Sequence, residues 1–290
     1  MIVRPATEND IDGMVALLQG HMNPKWTAER WRRLFTYDWQ AHRPDFGRVV
    51  DRDGEVVGCL AAVYSERVIE DRLERFCKPC AWYMRKDVRR EGAGLGLKMM
   101  QHLTADLTRH YVINTSSAHT TNLLRRAGFA DLDAEKYVWT RESAAATAMR
   151  RKIDVITDPA TIDRLVDAAE RRLIKDHAGL PVNAILVRHA DGQTLIVLAE
   201  TVKGGGERWL DVLYASDPLC LARHGAALAG DLLNGSGEFL AADCRFCETS
   251  PPNAVRRPIA VPHFTKKTGL APHHLDHLYS EIQLLGLKLR

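Results

Sequence analysis

Three glycines at alternate positions lie among basic residues in the segment Arg89-Arg90-Glu91-Gly92-Ala93-Gly94-Leu95-Gly96. Because glycine carries no Cβ, its backbone can approach a ligand closely. The segment follows a predicted strand, 80–85, and precedes a predicted helix, 96–110, and the free N–H groups at a helix start favour a phosphate. Arg85 and Lys86 add positive charge, and arginine suits phosphate oxygens. The segment therefore predicts a site for a phosphorylated ligand.

The spacing excludes two other phosphate-binding motifs. The dinucleotide pattern GxGxxG fails because Leu97 stands where the third glycine would be, and no GK[ST] sequence closes the turn as a P-loop requires. What remains is R-x-x-G-x-G, formed by Arg89, Gly92 and Gly94. The alternative is that the glycines merely form a flexible strand-to-helix connection.

At this motif the chain resembles the GNAT superfamily of acyl-CoA-dependent N-acetyltransferases, whose pyrophosphate loop for acetyl-CoA has this form. Asn122–Phe129 looks like that family's short helix ending in Gly-Phe, and the resemblance covers roughly residues 1–140. It implies an α/β fold with an α+β mixed sheet and acetyl transfer from acetyl-CoA to an amine by direct attack in a ternary complex. It also implies these residues for acetyl-CoA binding: Met84, Arg85, Arg89, Arg90, Glu91, Gly92, Ala93, Gly94, Leu95 and Gly96.

The resemblance further implies how the donor sits. The pyrophosphate is expected on the amides of residues 90–94, and the pantetheine arm beside the backbone of Tyr83–Arg85 like an added strand. The thioester carbonyl would then receive an N–H from that strand as its oxyanion forms.

One departure from the family concerns the general acid. The tyrosine that often protonates the leaving thiolate is absent, because Leu124 stands at the matching position. Tyr83, His119, Ser116 and Ser117 are candidates to replace it, and His119 is the best placed by sequence, although a loop histidine is more often simply solvated. For the base the sequence offers Glu66, Glu70 and Tyr83, and surface carboxylates are commonly solvated too.

Strand-like and helix-like segments alternate through the first half, which we predict to be a catalytic domain over 1–143. Asp51–Gly54 is a hairpin-turn signal between two strands, the second being 56–64. The aromatic and basic stretch 26–40 predicts a helix that either borders the acceptor or faces the core. The helix 96–110 is expected to turn Leu107 inward.

The pattern restarts after a linker over 141–152, which suggests a diverged duplication with a second domain at 150–290. Its connection Tyr214–Pro218 has neither glycines nor arginines, so this domain is predicted to be degenerate, shaping the acceptor cleft or a dimer surface. A closing amphipathic helix over 271–285 is predicted, with Leu275, Leu278, Ile282 and Leu285 on one face. Within it, Leu275–Glu281 faintly resembles tails of GNAT-like proteins of bacterial polysaccharide synthesis, which would make an amino sugar the acceptor.

Metal ligands are not expected. The pairs Cys77–Cys80 and Cys244–Cys247 lie too far apart for a zinc ribbon and suit reduced core residues. His273 and His277 have an i, i+4 spacing that could bind a metal, but no third ligand is evident, and a solvated face for His273, His274 and His277 is favoured.

Composition limits the remaining classes. The 290 residues carry a net charge of +3, too balanced for a protein dedicated to nucleic acid or to a membrane surface. No apolar run suits a bilayer span or a signal peptide, so a cytoplasmic location is expected, with a homodimer as a possible state.

The alternative function is a non-catalytic acyl-CoA-binding regulatory module.

Overall fold

The computed structural model describes residues 1–39, 43–92, 94–145, 153–266 and 268–289, and it divides the chain into two compact units. The first unit consists of Met1–Asp131, His263–Gly269 and Tyr279–Leu287, and the second of Leu132–Pro262, Leu270–Leu278 and Lys288–Arg290. The main boundary lies between Asp131 and Leu132, ahead of the predicted cut at 143–150, and two short C-terminal segments belong to the first unit.

A mixed sheet forms the centre of the first unit. Its strands lie in the order β1 (Ile2–Pro5), β2 (Gly47–Arg52), β3 (Glu55–Ile69), β4 (Arg72–Met84), β5 (Arg109–Ile113) and, last, residues 264–266 of β12 (Val255–Lys266). Neighbours are antiparallel from β1 to β4, β4 and β5 are parallel, and residues 264–266 are antiparallel to β5. The predicted hairpin turn at Asp53 and Gly54 joins β2 to β3, and both residues have positive φ.

Short helices cover this sheet. They are α1 (Ile11–Leu17), α2 (Ala28–Arg32), α3 (Lys86–Glu91), α4 (Leu95–Leu103) and α5 (Ala118–Arg126). The Thr27 hydroxyl accepts a hydrogen bond from the Arg30 N–H and so caps the start of α2. At the other end of the unit, α5 is followed by Gly128 with a φ of +87°, the left-handed conformation in which a helix often ends.

The core of the first unit lies between the sheet and these helices. Residues 57–65 of β3 are all buried, so this strand is covered on both faces, as expected for a central strand. Fully buried side chains from strands and helices meet there; the largest of these are Tyr64, Met99, Met100, Tyr111 and Phe264. Phe264 comes from β12, so the C-terminal part of the chain completes this core.

The second unit has its own sheet. In spatial order its strands are β7 (Asp154–Ile156), β8 (Asn183–His189), β9 (Gly192–Val202), β10 (Arg208–Ala215), β11 (Glu238–Asp243) and β6 (Ala130–Trp139). Its helices are α7 (Pro159–Leu165), α8 (Ala168–Asp176) and the long α9 (Pro218–Leu232). The helix α9 packs closely, since a Cβ at Gly225 would stand 2.6 Å from the Trp139 ring.

Both units repeat one strand order. In each, an antiparallel run of four strands is followed by a parallel fifth strand and an antiparallel sixth. The fourth strand carries a bulge in both cases, before Tyr83 in β4 and between Val212 and Tyr214 in β10. An internal duplication would leave this repeated order.

Several predicted elements are shorter than expected. In 26–40 only Ala28–Arg32 is helical, and residues 40–42 lie outside the described part of the chain. The helix α4 ends at Leu103, and Leu107 is 66% exposed rather than turned inward. Of the predicted linker, Arg141–Ala145 forms a helical turn, α6, and 146–152 is not described.

The predicted closing helix is interrupted. The segment contains a single 3-10 turn, Pro272–His274, and the short helix α10 (Glu281–Leu285). Its four marked positions, Leu275, Leu278, Ile282 and Leu285, are nevertheless all buried. Ser280 and Gln283 form a capping box that begins α10 at Glu281.

No described helix combines the length and the apolar character that crossing a bilayer would need.

Candidate functional site

Strand β4 leaves its parallel neighbour halfway along its length. It pairs with β5 at Arg75–Cys77 only, and among the described residues 78–84 have no strand partner on that side. On the other side β4 stays paired with β3 up to Met84. The open side of 78–84 therefore presents backbone N–H and C=O groups to any extended ligand that lies there.

A bulge marks the middle of this open stretch. Cys59 of β3 pairs with Tyr83 and Ala61 pairs with Cys80, so two residues of β4 oppose one residue of β3. Ala81 has a φ of +45°, which is uncommon for a residue with a Cβ. A bulge leaves backbone groups unpaired and turns them away from the ladder. Here the two bulged residues are Ala81 and Trp82, and the Ala81 carbonyl accepts a hydrogen bond from Cys59 Sγ of β3 at 3.7 Å.

A cavity of about 210 Å³ lies beside this bulge, within the first unit. Most of its wall is apolar or aromatic: Met22, Trp26, Trp31, Leu60, Pro79, Cys80, Ala81, Trp82, Met100, Ile113, Leu124, Leu285 and Leu287. The polar wall consists of Thr115, Ser116, Ser117, Thr120 and Glu281. Ser116, Ser117 and Leu124 were singled out by the sequence, and the structure brings them together at this wall.

Glu281 is the ionisable acid of this cavity wall. It is 2% exposed, and its Oε1 accepts a hydrogen bond from the Thr115 hydroxyl. Its Oε2 is buried without a hydrogen-bond partner among the described residues. Burial raises the pKa of this carboxyl, although the Thr115 hydroxyl and the residue's own N–H lower it in part, as do Lys78 and His263 nearby.

The sequence analysis did not find Glu281 as a site residue. The pattern Ser280-x-x-Gln283 indicates a helix start at this point, but a helix start is not a site. What makes Glu281 notable is its contact with Thr115, 166 positions earlier in the chain.

The glycine segment is more helical than a plain turn. Residues 86–91 form α3, the Gly92 N–H donates to the Val88 carbonyl, and α4 begins at Leu95. Ala93 lies outside the described residues. Gly94 caps α4 with a φ of +90°, and a Cβ there would meet nothing within 4 Å. The space over Gly94, at the start of a nine-residue helix, suits an anionic group.

The basic residues of this segment have different surroundings. The Arg85 guanidinium bridges Asp87 and Glu55, and its hydrogen bonds hold the pKa of the Asp87 carboxyl well below its usual value. Arg89 donates from Nε to the Met84 carbonyl at 2.8 Å and lies 5.0 Å from the Tyr83 ring centre. Arg90 is exposed and makes no ion pair among the described residues. It is the arginine of the three that is free to meet a ligand.

Gly96 brings α4 close to β4. A Cβ at Gly96 would stand 3.3 Å from Cζ2 of Trp82, so glycine allows this helix to approach the bulged strand. Trp82 is one of the cavity residues, and Gly96 therefore helps to set the cavity wall.

Four of the six candidate catalytic residues do not line the cavity: Tyr83, His119, Glu66 and Glu70. Tyr83 follows the bulge, is half-buried, and stacks on His21 with ring centres 5.9 Å apart. His119 is exposed on α5, the helix whose Thr120 and Leu124 line the cavity. Glu66 lies toward the end of β3, where it pairs with Arg75 at 3.2 Å. Glu70 is exposed in the turn between β3 and β4.

The aromatic stretch after α1 is divided between the cavity wall and the core. Trp26 and Trp31 line the cavity, with ring centres 4.7 Å apart, whereas Leu34 and Phe35 are buried core residues.

In the second unit, the connection from β10 to α9 offers no comparable anion site. Asp217 caps α9, and its carboxylate accepts the Leu219 N–H, so a negative charge already satisfies the helix start. A phosphate there would meet that carboxylate.

The predicted solvated histidine face is wrong for His277. This side chain is fully buried in the second unit, with Nε2 2.7 Å from Asp243 Oδ2 and 2.9 Å from Arg245 Nη2. Arg245 also donates to Asp133. Buried charges need such pairing, so the carboxylates and the guanidinium hold His277 inside. His273 and His274 are half-buried.

The cysteines of the two CxxC pairs are free thiols, and Cys77, Cys80 and Cys247 are buried, as expected for core residues. Burial raises the pKa of each of these three thiols.

Comparison with solved structures identifies the fold. The chain is similar to a GCN5-related N-acetyltransferase from Anabaena variabilis, with 11% identity, a TM-score of 0.55, and coverage of 91% of this chain and 72% of that one. It is also similar to a probable N-acyltransferase of unknown function from Enterococcus faecalis, with 12% identity, a TM-score of 0.54, and coverage of 94% and 73%. No family model and no curated protein matches the sequence. The chain thus has the fold of the GCN5-related N-acetyltransferases, and the resemblance noted at the glycine motif is confirmed at the level of fold.

Proposed function

We propose that this chain is an N-acyltransferase that moves an acetyl or other acyl group from acyl-CoA to the amine of a small acceptor. The observation that carries the proposal is the bulged, unpaired edge of β4, which runs from the cavity at Pro79–Trp82 to the glycine segment. An extended pantetheine arm can add to such an edge as a strand does. The end of the edge at the cavity then holds the thioester, and the end at the glycine segment holds the pyrophosphate.

The start of α4 suits the pyrophosphate. Gly94 leaves open space over the first turn. There the Leu95 and Lys98 N–H groups donate to the Gly92 and Gly94 carbonyls, which leaves the N–H groups of Gly96 and Leu97 without a carbonyl partner within the helix. Arg90 is free to reach the phosphates, whereas Arg89 holds the end of β4 through the Met84 carbonyl. In this proposal the amides of α4 and the Arg90 side chain bind the phosphates, and Arg89 positions the strand. The amides of 90–92 are less suitable, since the Gly92 N–H is already bonded within α3.

The acyl group lies at the bulge. A backbone N–H of 81–82 donates to the carbonyl oxygen as it gains negative charge, which stabilises the transition state. The amine nitrogen forms a bond to the carbonyl carbon, the C–S bond breaks, and the CoA thiolate leaves. Tyr83, His119, Ser116 and Ser117 remain the candidates to give that thiolate a proton; of these, the two serines line the cavity.

A non-catalytic acyl-CoA-binding module is the second candidate. One observation favours it: Leu124 is 1% exposed and lines the cavity at the position where the family carries its acid tyrosine. Such a module would bind acyl-CoA equally well but would transfer nothing. Turnover with any amine rejects it.

Titration calorimetry with acetyl-CoA tests the donor site, with NADH as the control ligand. Gly92→Glu is a poor test, because a Cβ there would meet Leu95 Cδ1 at 2.2 Å and disturb the fold. Gly94→Glu is cleaner: we expect it to weaken acetyl-CoA binding by about 100-fold or more, because it places a carboxylate beside the phosphates and like charges brought together cost several kcal/mol.

The matched control for this variant is Gly179→Glu. Gly179 has a φ of +79° and nothing within 4 Å, so the backbone strain is similar but the position lies in the second unit. If both variants bind like the wild type, or both lose binding to the same extent, the proposed donor site is rejected. Binding of NADH as tight as that of acetyl-CoA would reject it too.

A further inference from the structure

We propose that the acceptor is a primary amine carried on an apolar aliphatic or aromatic body, and that Glu281 binds its ammonium group and accepts its proton. This inference rests on the proposed acyl transfer and adds to it the class of acceptor and the residue that prepares the nucleophile.

The orphaned oxygen of Glu281 is the first observation. Oε1 is engaged by the Thr115 hydroxyl, but Oε2 is buried without a hydrogen-bond partner among the described residues. A buried carboxylate oxygen left unpaired is costly, and an incoming N–H donor would relieve that cost. Among the side chains that line the cavity, no other carboxylate is present in the described part of the chain.

The wall around this carboxylate is the second observation. Trp26, Trp31 and Trp82 contribute aromatic surface, and Leu285 and Leu287 continue it on the side of Glu281. Such a surface suits a hydrocarbon body and the face of a ring.

The fit to an amino sugar is poorer. Each sugar hydroxyl needs a hydrogen-bond partner once it is removed from water. Apart from Glu281, the polar side chains of the wall are Thr115, Ser116, Ser117 and Thr120, which lie close together in the sequence at the start of α5, and the Thr115 hydroxyl already donates to Glu281. The remaining wall would leave hydroxyls unpaired, so an apolar amine is favoured over a sugar.

The position of Glu281 is held by contacts at both ends of α10. The Ser280 hydroxyl and the Gln283 side chain form the capping box at its start. At its end, Arg30 Nε donates to the Leu285 carbonyl at 3.0 Å, and the Arg30 guanidinium lies 4.0 Å from the Trp26 ring centre. Arg30 thus contacts both the Trp26 ring of the cavity wall and the end of α10, the helix that begins with Glu281.

Several charged or titratable groups face Glu281 from neighbouring elements. Lys78 and Cys80 lie on β4, and His263 lies on β12. Lys78 and His263 favour the ionised form of the Glu281 carboxyl, whereas burial disfavours it. Arg30 on α2 contacts the Leu285 carbonyl at the C-terminal end of α10, the helix that begins with Glu281. The net effect of burial is a raised pKa, which brings this carboxyl closer to the working range of a general base.

The proton balance is as follows. The ammonium nitrogen passes one proton to the Glu281 carboxylate and becomes a neutral amine. Its lone pair forms the bond to the thioester carbon, and when the C–S bond breaks the second N–H proton passes to the CoA thiolate through one of the candidate acids named above. The carboxyl then returns its proton to water. The sum is amide, free CoA thiol and one proton released.

The test compares acceptors and variants at saturating acetyl-CoA, measuring free CoA thiol. We expect phenethylamine and hexylamine to be acetylated with a kcat/KM at least about 10-fold above that of glucosamine. Faster acetylation of glucosamine, or no acetylation of either apolar amine, would overturn the acceptor class.

Glu281→Gln is the matching variant, with Glu29→Gln, an exposed glutamate on α2, as the control. For Glu281→Gln we expect kcat/KM to fall by about 100-fold or more. We also expect it to lose the limb of the wild-type pH profile along which kcat/KM falls as pH falls through the pKa of the carboxyl. Retention of both the rate and that limb would overturn the role of Glu281.

Binding measurements separate this inference from the proposed function. Calorimetry with acetyl-CoA reports on the donor site, where Glu281→Gln should bind like the wild type. Calorimetry with phenethylamine reports on the acceptor cavity, where the variant should bind at least about 10-fold more weakly. If acetyl-CoA fails to bind the wild type, the proposed function falls; if acetyl-CoA binds but phenethylamine binds both proteins equally, only the inference about Glu281 falls.

Discussion

A single carboxyl group shows how burial alone changes the chemistry of a residue. Glu281 and Glu66 have the same side chain, yet Glu66 is half-exposed and paired with Arg75, while Glu281 is buried with one oxygen unpaired. Burial disfavours the charged form, so the pKa of the Glu281 carboxyl is raised. The native state therefore holds a proton on Glu281 at pH values where the unfolded chain has lost it.

A dependence of stability on pH follows from this difference. Stability falls as pH rises wherever the native state binds more protons than the unfolded state, which here is the range from the unfolded pKa up to the raised native one. Glutamine has no such proton. We expect the Tm of Glu281→Gln relative to the wild type to increase from pH 5 to pH 8, as measured by calorimetric melting. A difference in Tm that stays constant over this range would mean that Glu281 is not buried as described.

At the scale of elements, the cavity depends on how closely α4 approaches β4. The glycine at position 96 permits that approach, because any larger residue there would press on the Trp82 ring. The bulge at Ala81 and the loss of pairing with β5 after Cys77 then open the other side. The width of the cavity thus depends on the close approach of Gly96 to Trp82 and on the point at which β4 stops pairing with β5.

Gly96→Leu tests this arrangement. We expect it to displace Trp82, to cost about 1–3 kcal/mol of stability through overpacking and to weaken acetyl-CoA binding. Gly20→Leu is the control, since Gly20 is also helical but has nothing within 4 Å of its Cβ position. The two variants are compared by chemical denaturation and by calorimetry with acetyl-CoA. Equal losses in both would show that the leucine itself, and not the contact with Trp82, is responsible.

For the whole molecule, the important feature is that each unit draws on both halves of the sequence. The first unit takes residues 263–269 and 279–287, and with them Phe264 and Glu281. Lys266 adds hydrogen bonds to the Ala127 carbonyl, at 2.7 Å, and to the Thr104 hydroxyl, at 2.9 Å, at the ends of α5 and α4. The second unit in turn begins at Leu132 and includes most of β6.

A chain cut at the predicted linker should therefore not yield a stable first half. We expect residues 1–143 alone to be insoluble or to lack a cooperative melting transition, because the side chain of Phe264 and the strand of 264–266 are missing from its core. Co-expression with residues 150–290 should restore a soluble complex. A folded fragment 1–143 that binds acetyl-CoA alone would contradict this expectation.

The local pattern of the sequence determined the features that depend on near neighbours. The motif of Arg89, Gly92 and Gly94 between a strand and a helix, the turn at Gly54 and the helix end at Gly128 could all be predicted, because backbone conformation and helix capping act over a few residues. That local pattern was also enough to indicate the fold that the solved structures confirm.

Only the tertiary structure decided which distant side chains share an environment. Two contacts join segments that are far apart in the chain: Glu281 with Thr115, and His277 with Asp243. The point at which β4 stops pairing with β5 likewise depends on two separate segments. Hydrophobic periodicity gives the buried positions of a segment but not the partners they meet. For this reason the motif of the proposed acyl-CoA site could be predicted from the sequence, whereas Glu281, the residue that we propose binds the acceptor amine, could not.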